Sequence, residues 1–584
     1  MTDTAKTLTG AEIVLQALVD HGVEVIFGYP GGAVLPIYDA LFRQDKIKHI
    51  LVRHEQAAAH AAEGYARSTG KLGVLLVTSG PGATNAVTGL TDALMDSIPI
   101  LCLSGQVPSH LIGSDAFQEA DTTGITRACT KHNYLVKNVE NMARVMHEGI
   151  YVALNGRPGP VLIDIPKDVQ FASAVYAPAN GYRPKSYQPQ TKGDSKLIEQ
   201  AVEMISKATR PILYGGGGII NAGVPASRTV TNFVRETGMP CTLTLMGLGA
   251  VPASDPHFLG MLGMHGTYEA NMAMHDCDLM IAVGSRFDDR VTGRLNAFSP
   301  NSKKIHIDID PSSINKNVLV DLAIVGDAGS VMADILTLWR QKQHRLEINN
   351  WWAQIKQWQA KDSLKFKVDE TIIKPQYAIK RLCEKTRDQK TFITTEVGQH
   401  QMWAAQFYDF EEPNRWMTSG GLGTMGYGLP AAMGVQVAHP DSLVIDIAGE
   451  ASIQMNIQEM ATLVQYRLPV KIFIINNKWM GMVRQWQELL HGCRYSESYS
   501  ETLPDFVKLA EAFGAVGIRA NTMQDLDGVI DEMIAIKRPV IVDVVVSERE
   551  NCYPMIPSGA AHNEMILGVE DEGNEVSEEG KMLV

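Results

Sequence analysis

Clustered cysteines, an excess of basic charge and long apolar runs are all missing from this chain of 584 residues. Its seven cysteines are scattered and form no C-x-x-C pair, which points to free thiols in a reducing compartment rather than to a disulfide framework. Lys and Arg number 52 against 65 Asp and Glu, for a net charge of −13, which argues against a dedicated nucleic-acid binder. No apolar run approaches membrane-spanning length, and the opening MTDTAKTLTG lacks the apolar core of a secretory leader. The expectation is a soluble cytoplasmic protein with neither a membrane nor a nucleic acid as partner. What is present is globular: 45% hydrophobic and 20% charged residues, in a length that suits three or four domains.

The stretch Gly449 to Asn477 carries the most chemistry. Leu443 to Ile447 has strand composition. Ile453, Ile457, Met460, Ala461 and Val464 recur at helical spacing, and Val470 to Ile475 is a second strand candidate. A strand, helix, strand unit puts both strand ends on one edge of a parallel sheet, where open α/β sheets bind ligands. Glu450 and Asn477 therefore face each other across a crevice. A carboxylate, an amide oxygen and a nearby backbone carbonyl suit Mg²⁺, and free N–H groups at the start of the helix suit phosphates. An ordinary β-α-β unit with polar turns has the same spacing.

The rest of the chain repeats this rhythm. Thr9 to Glu12 is a capping box opening a helix through His21. Strands are expected at 23–27, 49–52, 73–78, 98–104 and 161–165, with an Ala-rich helix over 57–67. Residues 172–195 read as a linker. A second segment places strands at 211–214, 279–283, 304–310 and 323–327, followed by a polar helix and a second linker over 341–369. A third segment begins near Pro375, with strands at 391–395 and 415–419 before the central stretch. The fold class is α/β, with three doubly wound parallel-sheet domains over 1–175, 190–345 and 375–555 and a tail over 556–584, its acidic end from Val569 frayed. The first and third domains share a similar rhythm.

Gly421-Leu-Gly423-Thr-Met-Gly426 also fits the G-x-G-x-x-G dinucleotide fingerprint, with Asp446 20 residues beyond Gly426. This would suit a nicotinamide-dependent oxidoreductase. Asp446 falls inside an expected strand, away from the end where a ribose could be reached, which counts against that class.

Several motifs together carry a resemblance. They are Phe27 to Ala33, Arg53-His-Glu-Gln56 with Ala62 to Arg67, Asp115 to Asp121, Pro166-Lys-Asp168, Gly284 to Arg290, Gly423 to Gly428 and Gly481 to Trp486. The chain resembles, from about residue 8 to 567, the catalytic subunits of the acetohydroxyacid synthase (acetolactate synthase) family of thiamin-diphosphate enzymes. Related oxo-acid oxidases and decarboxylases share single motifs. The family's metal motif has Gly-Asp-Gly where this chain has Gly449-Glu450-Ala451, which motivates a further alternative, a metal-impaired homologue with an assembly role.

The resemblance implies thiamin diphosphate, Mg²⁺ and FAD as cofactors. It implies that pyruvate is decarboxylated and joined to pyruvate or 2-oxobutanoate, in branched-chain amino-acid synthesis. Glu55 matches the carboxylate that hydrogen-bonds the cofactor's aminopyrimidine ring. Gly31 and Gly32 belong to the same binding domain. Met425 matches the apolar wedge that bends the cofactor. Gln399, His400, Gly423, Ala451 and Ser452 match the diphosphate cradle, with Gly481 and Met482 beside it. Glu450, Asn477 and the carbonyl of Trp479 match the metal ligands. Phe117, Gln118 and Lys167 match residues that line the pocket from the opposite subunit. Trp486, beside Val483, matches the residue that makes room for the ethyl group of 2-oxobutanoate, and Arg286 a flavin contact near the substrate channel. Gly216, Gly217, Asp308 and Asp327 fall in the FAD-binding domain. A homodimer or tetramer with sites at the dimer interface, and a small regulatory subunit, are implied partners.

Overall fold

The computed structural model describes residues 6–568. Three six-stranded sheets, all parallel, account for the described strands apart from one two-stranded ribbon. The N-terminal sheet runs Lys48–Leu51, Val25–Gly28, Gly73–Val77, Ile100–Gln106, Val161–Pro166, His132–Leu135. Counted in chain order within the sheet, that is 2-1-3-4-6-5. The C-terminal sheet runs Trp416–Met417, Thr391–Thr395, Leu443–Gly449, Lys471–Asn476, Val540–Val545, Val516–Ala520, again 2-1-3-4-6-5. The similar rhythm of the first and third segments is thus a shared topology. The middle sheet runs Phe258–Met261, Cys241–Leu243, Pro211–Gly215, Leu279–Val283, Lys303–Asp308, Leu322–Val325, or 3-2-1-4-5-6, the order of dinucleotide-binding sheets. The strands buried on both faces read as near-continuous Val, Ile and Leu runs, as parallel sheets require.

The expected elements form, with shifted ends. The Thr9 capping box is present, opening the helix Gly10–Asp20. The Ala-rich helix extends over Glu55–Thr69. The linker from 172 begins as a strand, Ser173–Val175, paired antiparallel with Thr7–Thr9, so that it ties the two ends of the first domain together. The second linker contains the helix Asn349–Gln359, whose Trp351 and Trp358 are buried. Trp351 Nε1 donates to the carbonyl of Pro211 at 3.1 Å, fixing this helix to the middle sheet. The tail assigned from residue 556 starts as packed chain: Met555 pairs with Ile566, and the Ile556 N–H donates to the Met264 carbonyl at 2.8 Å. Its acidic end from Val569 lies outside the described residues.

One expectation fails in detail. The helix after Glu450 is not continuous. Ser452–Glu459 forms tight 3₁₀ turns broken at Asn456, and α-helix covers only Met460–Tyr466. Side chains compete with the regular ladder here. Gln454 Nε2 donates to the Glu450 carbonyl at 2.8 Å, and Asn456 Nδ2 reaches across to the Gly426 carbonyl at 2.7 Å.

The first and third domains dock through two helices, Glu55–Thr69 and Gly428–Ala438. Glycines make the contact close. A side chain at Gly434 would meet the Ala61 carbonyl oxygen at 1.9 Å, and one at Gly64 would meet that of Ala431 at 2.2 Å. One hydrophobic core runs continuously through both domains. Gly434→Ala should therefore cost about 1–3 kcal/mol by forcing the helices apart. Gly528→Ala, in a helix with open space around the position, should leave stability equal or slightly higher. Thermal unfolding of the two variants checks this, and equal midpoints would contradict the close contact.

Candidate active site

In each sheet the strand order reverses beside its first strand in chain order, and ligand crevices open at such points. In the C-terminal sheet the reversal lies between Thr391–Thr395 and Leu443–Gly449. Their exits deliver Glu396 to His400 on one side and Glu450 on the other. The neighbouring strand Lys471–Asn476 aligns Ile475 opposite Gly449, so Asn477 emerges beside Glu450. The two stand side by side, with the Asn477 backbone N–H near enough to the Glu450 carboxyl to favour its charged form. Glu450 is 1% exposed, and its Oε1 has no hydrogen-bond partner. Burial pushes its pKa up from 4.5 to about 8. Asn477 is buried, and its Oδ1 accepts from the Trp479 N–H at 3.1 Å. An orphaned carboxylate oxygen at one strand exit, with an amide oxygen and a backbone carbonyl at the next, forms an all-oxygen donor set that fits Mg²⁺, whose charge would compensate the buried carboxylate.

The remaining residues of this half gather around that pair. His400 is buried, its Nε2 lacks a partner, and burial lowers its pKa to about 3, so the ring is neutral. Gln399 is held by Gln485 at 2.8 Å and by the Glu550 carbonyl at 3.0 Å, and accepts from Asn477 at 3.3 Å. A side chain at Gly481 would strike Gln399 Oε1 at 2.0 Å. Ala451 is half-buried, and Ser452 Oγ accepts from the Gly449 N–H at 3.3 Å. In the helix Gly481–Leu490, Arg484 and Gln485 point into the protein, while Met482, Val483 and Trp486 retain exposure. Gly423 has φ of +75°, with nothing closer to its side-chain position than Val397 at 3.9 Å. Met425 follows in the same loop and is half-buried.

The N-terminal half is built at the equivalent crevice. Glu55 opens its helix but is not a solvated helix start. It is 8% exposed, and its Oε2 accepts from Asn85 Nδ2 at 2.9 Å. Gly82 and Thr78 lie beside it, and Thr78 packs on Gly31, next to Gly32. Phe117 stands 89% exposed, and Gln118 has φ of +61°. Lys167 starts the short helix Lys167–Phe171. Among the described residues no hydrogen bond or ion pair joins Glu55 to Glu450.

In the middle sheet the crevice lies between Pro211–Gly215 and Leu279–Val283. Gly216 packs on the Gly284 carbonyl, and Gly217 begins a short helix. Arg286 donates to the Met95 carbonyl of the first domain. Asp308 accepts from the Asp310 N–H at 2.8 Å. Asp327 caps the helix Ala328–Lys342, accepting from the Ser330 N–H at 2.9 Å, so its carboxylate already has a structural task. A cleft of about 780 Å³ between the three domains passes Gly217 and Asn221 but touches none of Glu55, Glu450 or Asn477.

The dinucleotide-like glycines do not serve a ribose. Asp446 is wholly buried in mid-strand and accepts from Thr394 Oγ1 at 3.2 Å. Two groups escaped the sequence reading. Glu396, buried, accepts from the Gly426 and Leu429 N–H groups and so shapes the Met425 loop. Burial raises its pKa to about 8. Asp92, Asp96 and Arg67 meet the same loop from the first domain. Only the closeness of Glu396 to the Gln399-His400 pair in sequence pointed to any of them.

Comparison with known proteins decides the family. The thiamine pyrophosphate enzyme N-terminal TPP binding domain matches residues 8–125, the central domain 198–335 and the C-terminal TPP binding domain 396–544. The acetolactate synthase large subunit of Haemophilus influenzae is 49% identical over 572 residues, covering 97% of this chain and 99% of that protein. The chain belongs to the acetolactate synthase large-subunit family of thiamine pyrophosphate enzymes. The isozyme 3 large subunit of Escherichia coli is 49% identical over 568 residues, covering 96% and 98% of the two chains. That of Pyropia yezoensis is 48% identical over 568 residues, covering 96% and 95%. No helix in the described residues is long and apolar enough to cross a membrane.

Membership of this family makes thiamin diphosphate the cofactor and sets the sign of a pH effect. Glu396 and Glu450 have folded pKa values raised above 4.5, so the folded chain holds protons that the unfolded chain has released. That stabilisation is complete below about pH 4.5 and is lost as pH rises through about 8. The thermal midpoint of cofactor-free protein should fall between pH 6 and 9. Mg²⁺ with thiamin diphosphate should lessen the fall in the parent but not in Glu450→Gln. A cofactor-free midpoint that rises over this range would contradict the arrangement.

Proposed function

We propose that the chain decarboxylates pyruvate and condenses the two-carbon fragment with a second pyruvate or with 2-oxobutanoate. The products are 2-acetolactate and 2-aceto-2-hydroxybutanoate, in cytoplasmic branched-chain amino-acid synthesis. The observation that carries this reading is the buried Glu450 oxygen without a partner beside Asn477, in a chain 49% identical to an acetolactate synthase large subunit over nearly its whole length.

Bound thiamin diphosphate supplies an electron sink for loss of CO₂ from a 2-oxo acid. Glu450, Asn477 and the Trp479 carbonyl would hold Mg²⁺, and with it the diphosphate. Gln399, neutral His400, Gly423, Ala451, Ser452, Gly481 and Met482 shape the cradle. A neutral imidazole and glycine backbones approach the diphosphate without a fixed charge of their own. The glutamate in place of aspartate brings its carboxylate one methylene further into the crevice. Met425 would support the cofactor. Glu55, fixed by Asn85, would hydrogen-bond the aminopyrimidine ring and share with it the proton that sets its tautomer.

Glu55 and Glu450 belong to different halves, so a homodimer or tetramer, with the site at the dimer interface, completes it. Exposed Phe117, with Gln118 and Lys167, covers the partner's pocket. Trp486 and Val483 face the acceptor, and Arg286 lies where the middle domain meets the first. The middle-sheet crevice near Gly216, Gly217 and Asp308 would take FAD. A small regulatory subunit joins the assembly.

The test is acetolactate production from pyruvate by full-length protein with thiamin diphosphate, FAD and Mg²⁺. Glu55→Gln should reduce kcat by about 10²–10⁴-fold. Trp486→Leu should shift the acceptor preference toward pyruvate by roughly 10-fold, the scale of one methylene's discrimination. Glu450→Asp should remain active with altered Mg²⁺ affinity. Absence of acetolactate from parent and Glu450→Asp alike, with a regulatory subunit supplied, would sink the assignment.

A further inference from the structure

The loop from Ser419 to Gly426 bears Gly423 and Met425, yet much of its anchoring comes from the first domain. The helix Val87–Asp96 sends two buried carboxylates to it. Asp92 Oδ1 accepts from Ser419 Oγ at 2.9 Å. The same Ser419 oxygen accepts from the Thr424 N–H at 2.8 Å, closing the loop on itself immediately before Met425. Asp96 Oδ2 accepts from the Gly420 N–H at 2.8 Å. Arg67, at the far end of the helix that Glu55 opens, donates to the carbonyls of Thr418 and Trp416 and to the Tyr427 hydroxyl. From the other side, Gln401 holds the Ser419 carbonyl at 3.0 Å and Glu396 takes the Gly426 N–H.

We propose that Asp92, acting through Ser419, and Asp96, acting through Gly420, are positioning residues that fix Met425 against the cofactor. The inference rests on the reading of Met425 as the cofactor's support. Neither carboxylate touches the reacting atoms. Their effect is geometric: Thr424 and Gly426, the neighbours of Met425, both have their N–H groups committed, and the Thr424 bond depends on a serine that Asp92 orients. Hydrogen bonds in a buried network cut off from water are directional and costly to break, so the loop has one shape rather than several. The first domain thereby sets the geometry of a site to which the third domain of the same chain contributes. Behind Asp92 lie His60 and Glu63, hydrogen-bonded at 2.9 Å and wholly buried, which leaves the carboxylate no water to turn to.

A purely structural role would lower stability but leave chemistry at saturating cofactor unchanged. The test is therefore a double-mutant cycle in the full-length holoenzyme with thiamin diphosphate, Mg²⁺ and FAD. Ser419→Ala, Met425→Ala and the double variant are compared for kcat and for proton–deuterium exchange at C2 of bound thiamin diphosphate. Ser419→Ala should lower both by about 10–100-fold at saturating cofactor, as misplacements near 1 Å do. KM for pyruvate should stay within about threefold, and Ser419→Thr should restore most of the rate. In the Met425→Ala background the same change should cost less than about twofold, because coupled residues are not additive. An equal loss in both backgrounds, or no loss in either, overturns the proposal. Asp92→Asn, nearly isosteric, is read in the same cycle should Ser419→Ala fold poorly. A parent that does not accelerate C2 exchange at all overturns the cofactor reading, and this inference with it.

Discussion

Two helices touching backbone to backbone govern this molecule. At Gly64 and Gly434 no side chain separates Glu55–Thr69 from Gly428–Ala438. The contact fixes the first sheet against the third, and each helix carries functional groups at its ends. Glu55 stands at the start of one. The Met425 loop runs into the start of the other. Arg67, from the first helix, grips the strand and loop that precede the second. A displacement of either helix would move both halves of the candidate site at once.

Buried carboxyl groups are the electrostatic counterpart of that packing. Glu396, Glu450, Asp92 and Asp96 are all removed from water, and burial raises the pKa of each. Three of them are satisfied by N–H or hydroxyl donors that shape a single loop. Glu450, Asp92 and Asp96 each keep one buried oxygen without a donor among the described residues. The difference lies in what surrounds them. Asp92 and Asp96 have Ser419, Gly420 and Arg67 at hand, whereas Glu450 faces a crevice lined by an amide and a carbonyl. One group of acids builds the scaffold, and the other stands at the candidate cofactor crevice.

What was legible in the sequence was periodic or local. The parallel strands announced themselves as β-branched runs, and the Thr9 capping box as a three-residue spacing that forms as written. Glu450 and Asn477 were paired from their positions at two strand ends, and they stand side by side. The helix after Glu450 departs from its helical apolar spacing because Asn456 breaks the element and bonds outside it, to the Gly426 carbonyl. The helix expected within 341–369 as a polar one buries Trp351 and Trp358, and the packed segment up to Ile566 gave no periodic signal, since it packs through a few long-range contacts. Asp92 and Asp96 were invisible for the same reason. Their partners Ser419 and Gly420 lie more than 320 residues away in the chain.

That separation has a consequence for how the protein is made. The first domain is complete once its two-stranded ribbon closes at Val175. The Ala-rich face of Glu55–Thr69 then has no partner until the helix Gly428–Ala438 is synthesised, about 370 residues after Gly64. At roughly 5–20 residues per second, that is an interval on the order of tens of seconds. Throughout it a newborn chain displays a small-residue groove shaped to receive a helix, beside the buried acids of Val87–Asp96 still open to water. During translation, that groove is a landing place for any helix of the right shape, including the Gly428–Ala438 helix of a neighbouring chain further along in synthesis.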